Sequence, residues 1–142
     1  MAKRQFWIIK SEPHVYPYSQ LEAEGKTAWT GVRNFEARNN LRAMKPGDLA
    51  LYYHSGDGKE IVGIARIATL AGPDPTAPGE DWASVEVEPL VPFKQPVGLA
   101  LVKATRELKD FVLVKKSRLS VGPVEPEHFK KVLALGKTKV PK

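Results

Sequence analysis

Apolar residues run unbroken from Phe6 to Ile9 and close before Pro13, the pattern of a buried strand with Lys10 and Ser11 at its mouth. Ser19 and Glu22 bracket Leu21 as a capping box, which predicts a short helix over Gln20 to Glu24 that stops at Gly25. Trp29 then falls in an extended or turn segment ending at Gly31. Asn34 suits the N-cap of a helix reaching Met44, stopped by Lys45-Pro46-Gly47-Asp48. At about 100° per residue Ala37, Leu41 and Met44 form a narrow apolar stripe, while Asn34, Arg38, Arg42 and Lys45 share the neighbouring flank. Leu49 to His54 reads as a strand, turned through Ser55-Gly56-Asp57-Gly58 into a partner from Glu60 to Leu70.

Ala71 to Asp81 holds three prolines and two glycines without apolar periodicity, which predicts a long irregular loop of the kind that covers sites. Trp82 to Leu90 alternates Ser84, Glu86 and Glu88 with Val85 and Val87, a strand with one wet face, and Pro89 and Pro92 place its end near a sheet edge. There follow a short strand at Val97, a helix from about Leu99 to Leu108, a segment of ambiguous type from Asp110 to Lys115, and a strand near Leu119 to Val121. The last helix opens on Pro126, buries Phe129, Val132 and Leu133, and stops at Gly136. Short strands joined without βαβ alternation predict an α+β fold: a small, mostly antiparallel β-barrel flanked by short helices. One domain over 1–142 is expected, with residues 1–4 and 137–142 frayed.

The chain has no cysteine, which excludes disulfides, thiolate zinc sites and a cysteine nucleophile. His14, His54 and His128 show no paired ligand spacing, so no metal is expected. GxGxxG and GxxxxGK[ST] are both missing, and no cofactor is expected either. Nothing approaches the ~20 apolar residues of a membrane span, and residues 1–12 lack a signal-peptide core. That pattern predicts a soluble intracellular protein, cytoplasmic in a bacterium, with no membrane partner.

The net charge is +6, but Lys3, Arg4, Lys137, Lys139 and Lys142 sit near the ends, and without them 17 cations face 16 carboxylates. The internal sorting is more telling. Residues 1–47 carry +4, residues 48–102 carry −5 and residues 103–142 carry +7. If the two basic thirds fold against each other they make a face that attracts phosphates; an ordinary solvated surface is the equal alternative.

Candidate chemistry concentrates in Lys10-Ser11-Glu12-Pro13 and in Trp29 to Ser55, where rings, amides, guanidiniums and hydroxyls lie beside turns. A ring offers a stacking face and the polar groups can read the edge of a base. Trp29, just before Thr30-Gly31, is either a ligand wall or a plug of the barrel. Asn34 can serve as a cap or a contact, and Arg33, Arg38 and Arg42 as phosphate ligands or a solvated flank. Leu49, Leu51, Tyr53 and Ser55 share one face of their strand, and Ala50, Tyr52 and His54 the other, so both faces carry an aromatic. His54 at the strand end can bond a ligand or a local group. A relay of Ser11, His54 and Glu12 or Asp57 is arrangeable on paper, without a nucleophile-elbow motif to support it.

These residues fall in motifs that closely resemble the EVE domain family of the PUA-like superfamily: FWIIKSEP at 6–13, WTGVRN at 29–34, ARNNLRAMKPGD at 37–48, YHS at 53–55 and SRLSVGPV at 117–124. The resemblance is nearly full length. It implies a PUA-like barrel with flanking helices and a pocket for a modified base, particularly modified cytosine in DNA, or RNA, as in the related YTH and SRA-type readers. Carried onto this chain, it implies Trp29 as an aromatic wall and Lys10 and Ser11 as edge contacts. Asn34 and Arg38 would give polar or phosphate contacts, Tyr53, His54 and Ser55 the opposite side, and Arg118 and Ser120 the rim; Arg33, beside Trp29, joins the candidate ligand-binding residues from the reading of its neighbourhood. The implied role is non-catalytic binding of nucleic acid carrying a modified base, with protein partners unspecified. The alternative is a PUA-like hydrolase acting on a modified base or RNA.

Overall fold

The computed structural model describes residues 4–140. In chain order the elements are β1 (Phe6–Ser11), α1 (Tyr18–Glu24), β2 (Thr27–Trp29), α2 (Phe35–Ala43), β3 (Leu49–His54), β4 (Glu60–Ile67), β5 (Gly72–Pro73) and β6 (Ala83–Gly98). After them come α3 (Leu99–Ala104), a 3₁₀ turn (Arg106–Leu108), α4 (Val112–Lys115), β7 (Val121–Val124) and α5 (Pro126–Leu135). The strands form one curled sheet in the order β2-β6-β4-β3-β1-β7, with β5 paired to β6. β1 and β3 run parallel, and the remaining pairings are antiparallel. The expected α+β class forms, as a half-barrel flanked by short helices.

β3 sits at the centre of the sheet and is buried on both sides from Leu49 to Tyr53, which is why its sequence is apolar on both faces. Leu49, Leu51 and Tyr53 enter one core, with Ile8, Ile61, Phe111 and Phe129. Ala50 and Tyr52 enter the other, with Trp7, Ile9, Trp29 and the α2 stripe of Ala37, Leu41 and Met44. That stripe is fully buried, as its spacing requires.

Several boundaries differ from the sequence pattern for identifiable reasons. α1 begins at Tyr18, and Ser19 lies inside it instead of capping it; the Tyr18 N–H donates to His54 Nε2 at 3.1 Å. A two-residue strand, β5, forms within the predicted irregular loop, where Gly72 and Pro73 pair with Ser84 and Ala83. β6 runs straight through Pro89, Pro92 and Pro96. β2 pairs with β6 only at Val85 to Val87, so beyond that point the outer side of β6 has no β2 backbone to bond, and a missing N–H costs no ladder bond there. Register shifts against β4 absorb the bends. The helix predicted over 99–108 breaks at Thr105, whose backbone is extended and whose hydroxyl donates to Leu101 O at 2.7 Å. The strand near 119–121 lies later, at Val121–Val124, while Leu119 packs into the first core.

Order also reaches further toward the C-terminus than the expected fraying allows: Thr138 is buried and its hydroxyl accepts the Lys94 N–H at 2.9 Å. Residues 1–3 and 141–142 of the expected loose ends lie outside the described residues. Gly63 in β4 is set by close packing. A Cβ there would stand 2.7 Å from the Tyr18 ring, and its absence lets that ring lie on β4 and donate to Ile64 O at 2.7 Å.

Candidate functional site

Trp29 ends β2, and its indole points into the first core with 9% of its surface exposed. Tyr16 and Tyr52 meet it edge-on, at centroid distances of 6.3 Å and 5.5 Å. Aromatic pairs favour such crossings because ring edges are positive and faces negative. The chain must then turn away at once. Gly31 supplies this with φ of 80°, a conformation that costs a residue with a Cβ.

The loop after the indole is held by one buried carboxylate. Asp74 Oδ2 accepts the Gly31 N–H at 2.9 Å and Arg33 Nη1 at 3.0 Å, while Oδ1 accepts the Thr76 N–H and hydroxyl at 2.7 Å and 2.6 Å. Burial by itself raises the Asp74 carboxyl; the hydrogen bonds from Thr76, Gly31 and Arg33 outweigh it and hold the group well below the ordinary carboxylate range.

Beside the indole opens a cleft of about 410 Å³, a size typical of small-ligand sites. Of the residues singled out in the sequence, Lys10, Ser11, Trp29, Arg33 and Ser120 line it. Lys10 N–H donates to Ser120 O at 3.1 Å, so the two motifs meet directly. The Lys10 ammonium is already engaged, donating to Ser117 O at 3.0 Å and lying 5.8 Å from the Tyr53 ring centroid. Burial moves its pKa down.

The other candidates lie elsewhere. Asn34 Oδ1 accepts the Ala37 N–H at 2.9 Å, so it caps α2. Arg38 pairs with Asp81 at 3.0 Å, and Arg42 pairs with the same carboxylate. Tyr53 is buried in the second core, because its alternation with Tyr52 sends it through the sheet. His54 anchors the start of α1, and burial lowers its pKa against the opposing pull of Glu60. Ser55 donates its N–H to Ser11 O at 3.0 Å, and Arg118 is exposed on the turn before Ser120. The side facing the Lys10-Ser11 strand mouth is instead made by Val15, Tyr16 and the segment Thr27 to Val32.

Sequence reasoning missed Tyr16 and Asp74. Tyr16-Pro17-Tyr18, two rings about a proline right after the strand mouth, was a readable signal. So was Pro73-Asp74-Pro75-Thr76, an Asx-turn pattern whose carboxylate reaches the Thr76 N–H. A larger cavity, about 600 Å³, lies between β1, α4 and α5. Its walls are mostly apolar, with Phe6, Val112 and Val124, and its lysines are paired: Lys115 with Asp110 and Lys116 with Glu36. The smaller cleft is the better candidate because a ring, hydroxyls and loop backbone converge there. Among the described residues no group of three or more His, Asp or Glu side chains is placed to hold a metal ion, and no helix is long and apolar enough to cross a membrane.

The chain is similar along its length to proteins of several organisms. Thymocyte nuclear protein 1 from Homo sapiens is 34% identical, over 91% of this chain and 72% of that protein. A Rhodopseudomonas palustris protein solved by NMR is 48% identical, with a TM-score of 0.89 over 94% of this chain and 93% of its own. An Agrobacterium tumefaciens crystal structure is 41% identical, with a TM-score of 0.93 over 97% and 99% of the two chains. Human thymocyte nuclear protein 1, solved in complex with DNA containing 5-methylcytosine, is 32% identical with a TM-score of 0.87, over 95% and 99%. The family model described as the EVE domain matches residues 5–135, and with that span and these identities the chain belongs to the EVE domain family.

Proposed function

We propose that this protein binds nucleic acid carrying a modified base, taking the base into the cleft beside Trp29, with modified cytosine in DNA as the first candidate. The observation that carries the reading is the cleft itself: Lys10, Ser11, Arg33 and Ser120 converge on the one indole the sequence places next to a glycine turn. The complex of human thymocyte nuclear protein 1 with 5-methylcytosine-containing DNA supports the choice of ligand. Thr30 and Ser120 present the hydroxyls that read the base edge, since the Lys10 ammonium is engaged elsewhere and the Ser11 and Thr27 hydroxyls lie against the phenols of Tyr52 and Tyr16. The Ser11–His54–carboxylate relay that hydrolysis would use is not assembled: His54 Nε2 accepts the Tyr18 N–H, and Glu12 pairs with His14 at 3.0 Å.

Stacking contributes ~1–3 kcal/mol per base, and extruding a base from duplex costs a few kcal/mol. The two nearly cancel, so selectivity comes from edge contacts and from the fit around the modification. Single-stranded or already extruded targets therefore bind better than intact duplex. The test is fluorescence anisotropy of labelled DNA strands with cytosine or 5-methylcytosine at one position, at two salt concentrations. The modified strand binds more tightly, and Trp29→Ala, checked for folding by circular dichroism, loses the difference. Equal affinity for both strands would overturn the reading.

A further inference from the structure

At the start of α2 the ring of Phe35 stacks on Trp82, with centroids 5.3 Å apart and planes 14° from parallel. Neither ring belongs to either core, and Phe35 leaves 66% of its surface in solvent. Guanidiniums attend both rings. Arg38 lies 5.0 Å from the Phe35 centroid and Arg33 lies 5.6 Å from that of Trp82. Arg33 also lines the cleft beside Trp29, so the exposed stack and the cleft share a side chain.

We propose that the Phe35–Trp82 pair is a stacking platform for a second, unpaired base of a single-stranded nucleic acid, adjoining the base taken into the cleft. The inference rests on the nucleic-acid reading above. A ring pair with Phe35 exposed, Trp82 half-buried and a guanidinium over each ring matches the two parts of a nucleotide: the base stacks on Phe35 as the Arg38 guanidinium swings from the ring to the phosphate. Arg42 extends the cationic flank by one helical turn from Arg38, and both hold Asp81 where a phosphate could be held. An apolar protein partner would benefit little from guanidiniums around its docking face, whereas a polyanion benefits from those of Arg38 and Arg42 as its phosphate replaces Asp81; that of Arg33 is held by Asp74.

The experiment measures binding of a fluorescein-labelled decathymidylate by anisotropy to the wild type, Phe35→Ala and Phe35→Tyr. In parallel, calorimetry follows free 5-methyl-2′-deoxycytidine binding to the wild type, which reads the cleft alone. Phe35→Ala weakens the decamer about tenfold, and Phe35→Tyr, which keeps a stacking face, recovers affinity to within about twofold. Unchanged decamer affinity in Phe35→Ala, equal loss in both variants, or no decamer binding by the wild type overturns the platform. Nucleoside binding with Phe35-indifferent decamer binding removes the platform and leaves the cleft. Phe35-dependent decamer binding without nucleoside binding upholds the platform and removes the cleft.

Discussion

Trp29 and Tyr52 cross edge to face, with planes at 82° and centroids 5.5 Å apart, and the Tyr52 hydroxyl continues the contact by donating to Tyr16 O at 2.7 Å. Burial pushes the Tyr52 phenol up, so the hydroxyl keeps its proton throughout the working range. One tyrosine thus sets both the tilt of the indole and the place of Tyr16 on the cleft wall. Tyr52→Phe keeps the ring and strands a carbonyl, which costs about 1–2 kcal/mol. Urea unfolding should show the midpoint falling with an unchanged m-value; an unaltered midpoint would mean that water replaces the bond at no cost.

Asp81 stands in solvent and holds Arg38 and Arg42 together. A carboxylate there competes with any phosphate for the same two guanidiniums. Asp81→Asn should therefore tighten single-stranded oligonucleotide binding, and the slope of log K against log salt should steepen by about 0.7 for each further phosphate that the freed guanidiniums neutralise. Folding stability should move little, because the substituted carboxylate itself stands in solvent, although the Arg38 side chain it pairs with is largely buried. If neither affinity nor slope changes, the α2 flank lies off the nucleic-acid path.

Elements whose pattern is set by burial were legible from sequence: β1, β3, α2 with its Asn34 cap, and α5 from Pro126 to the turn at Gly136 all follow from period and capping chemistry. Elements set by distant partners were not. Nothing local shows that β1 pairs with β3 in parallel, or that the N–H of Tyr18 is taken by His54, 36 positions away. The cleft was half legible for the same reason. Trp29, Arg33, Lys10 and Ser11 stood out by residue type and Ser120 only through the family resemblance, while the turning of Tyr53 to the far core depends on which side of the sheet each core occupies. Asp74 lay in a loop whose length drew attention away from its Asx chemistry.

Gly63 and Tyr18 make a coupled pair. A methyl on Gly63 would meet the ring 2.7 Å away, and that ring is clamped by its bond to Ile64 O. Overpacking of this kind costs about 1–3 kcal/mol. Gly63→Ala should show that loss in the wild-type background and much less in Tyr18→Ala, a coupling read from the double-mutant cycle. Equal losses in both backgrounds would place the cost in the β4 backbone instead.

His54 links the end of β3 to the beginning of α1, a helix whose Pro17 cap position offers no side-chain acceptor. The bond requires an unprotonated Nε2, and burial, only partly opposed by Glu60, lowers the His54 pKa in the folded protein. With the folded value below the unfolded one of about 6.5, the neutral form is favoured by folding. Its contribution is complete above that value and is lost as pH falls through the folded pKa, because the unfolded chain binds the proton more readily. Urea midpoints measured from pH 8 to pH 5 should therefore decline in the wild type. His54→Gln, which offers a non-titrating acceptor, should stay flatter over the same interval. Parallel declines in the two proteins would assign the pH response to other groups and reduce His54 to a packing residue.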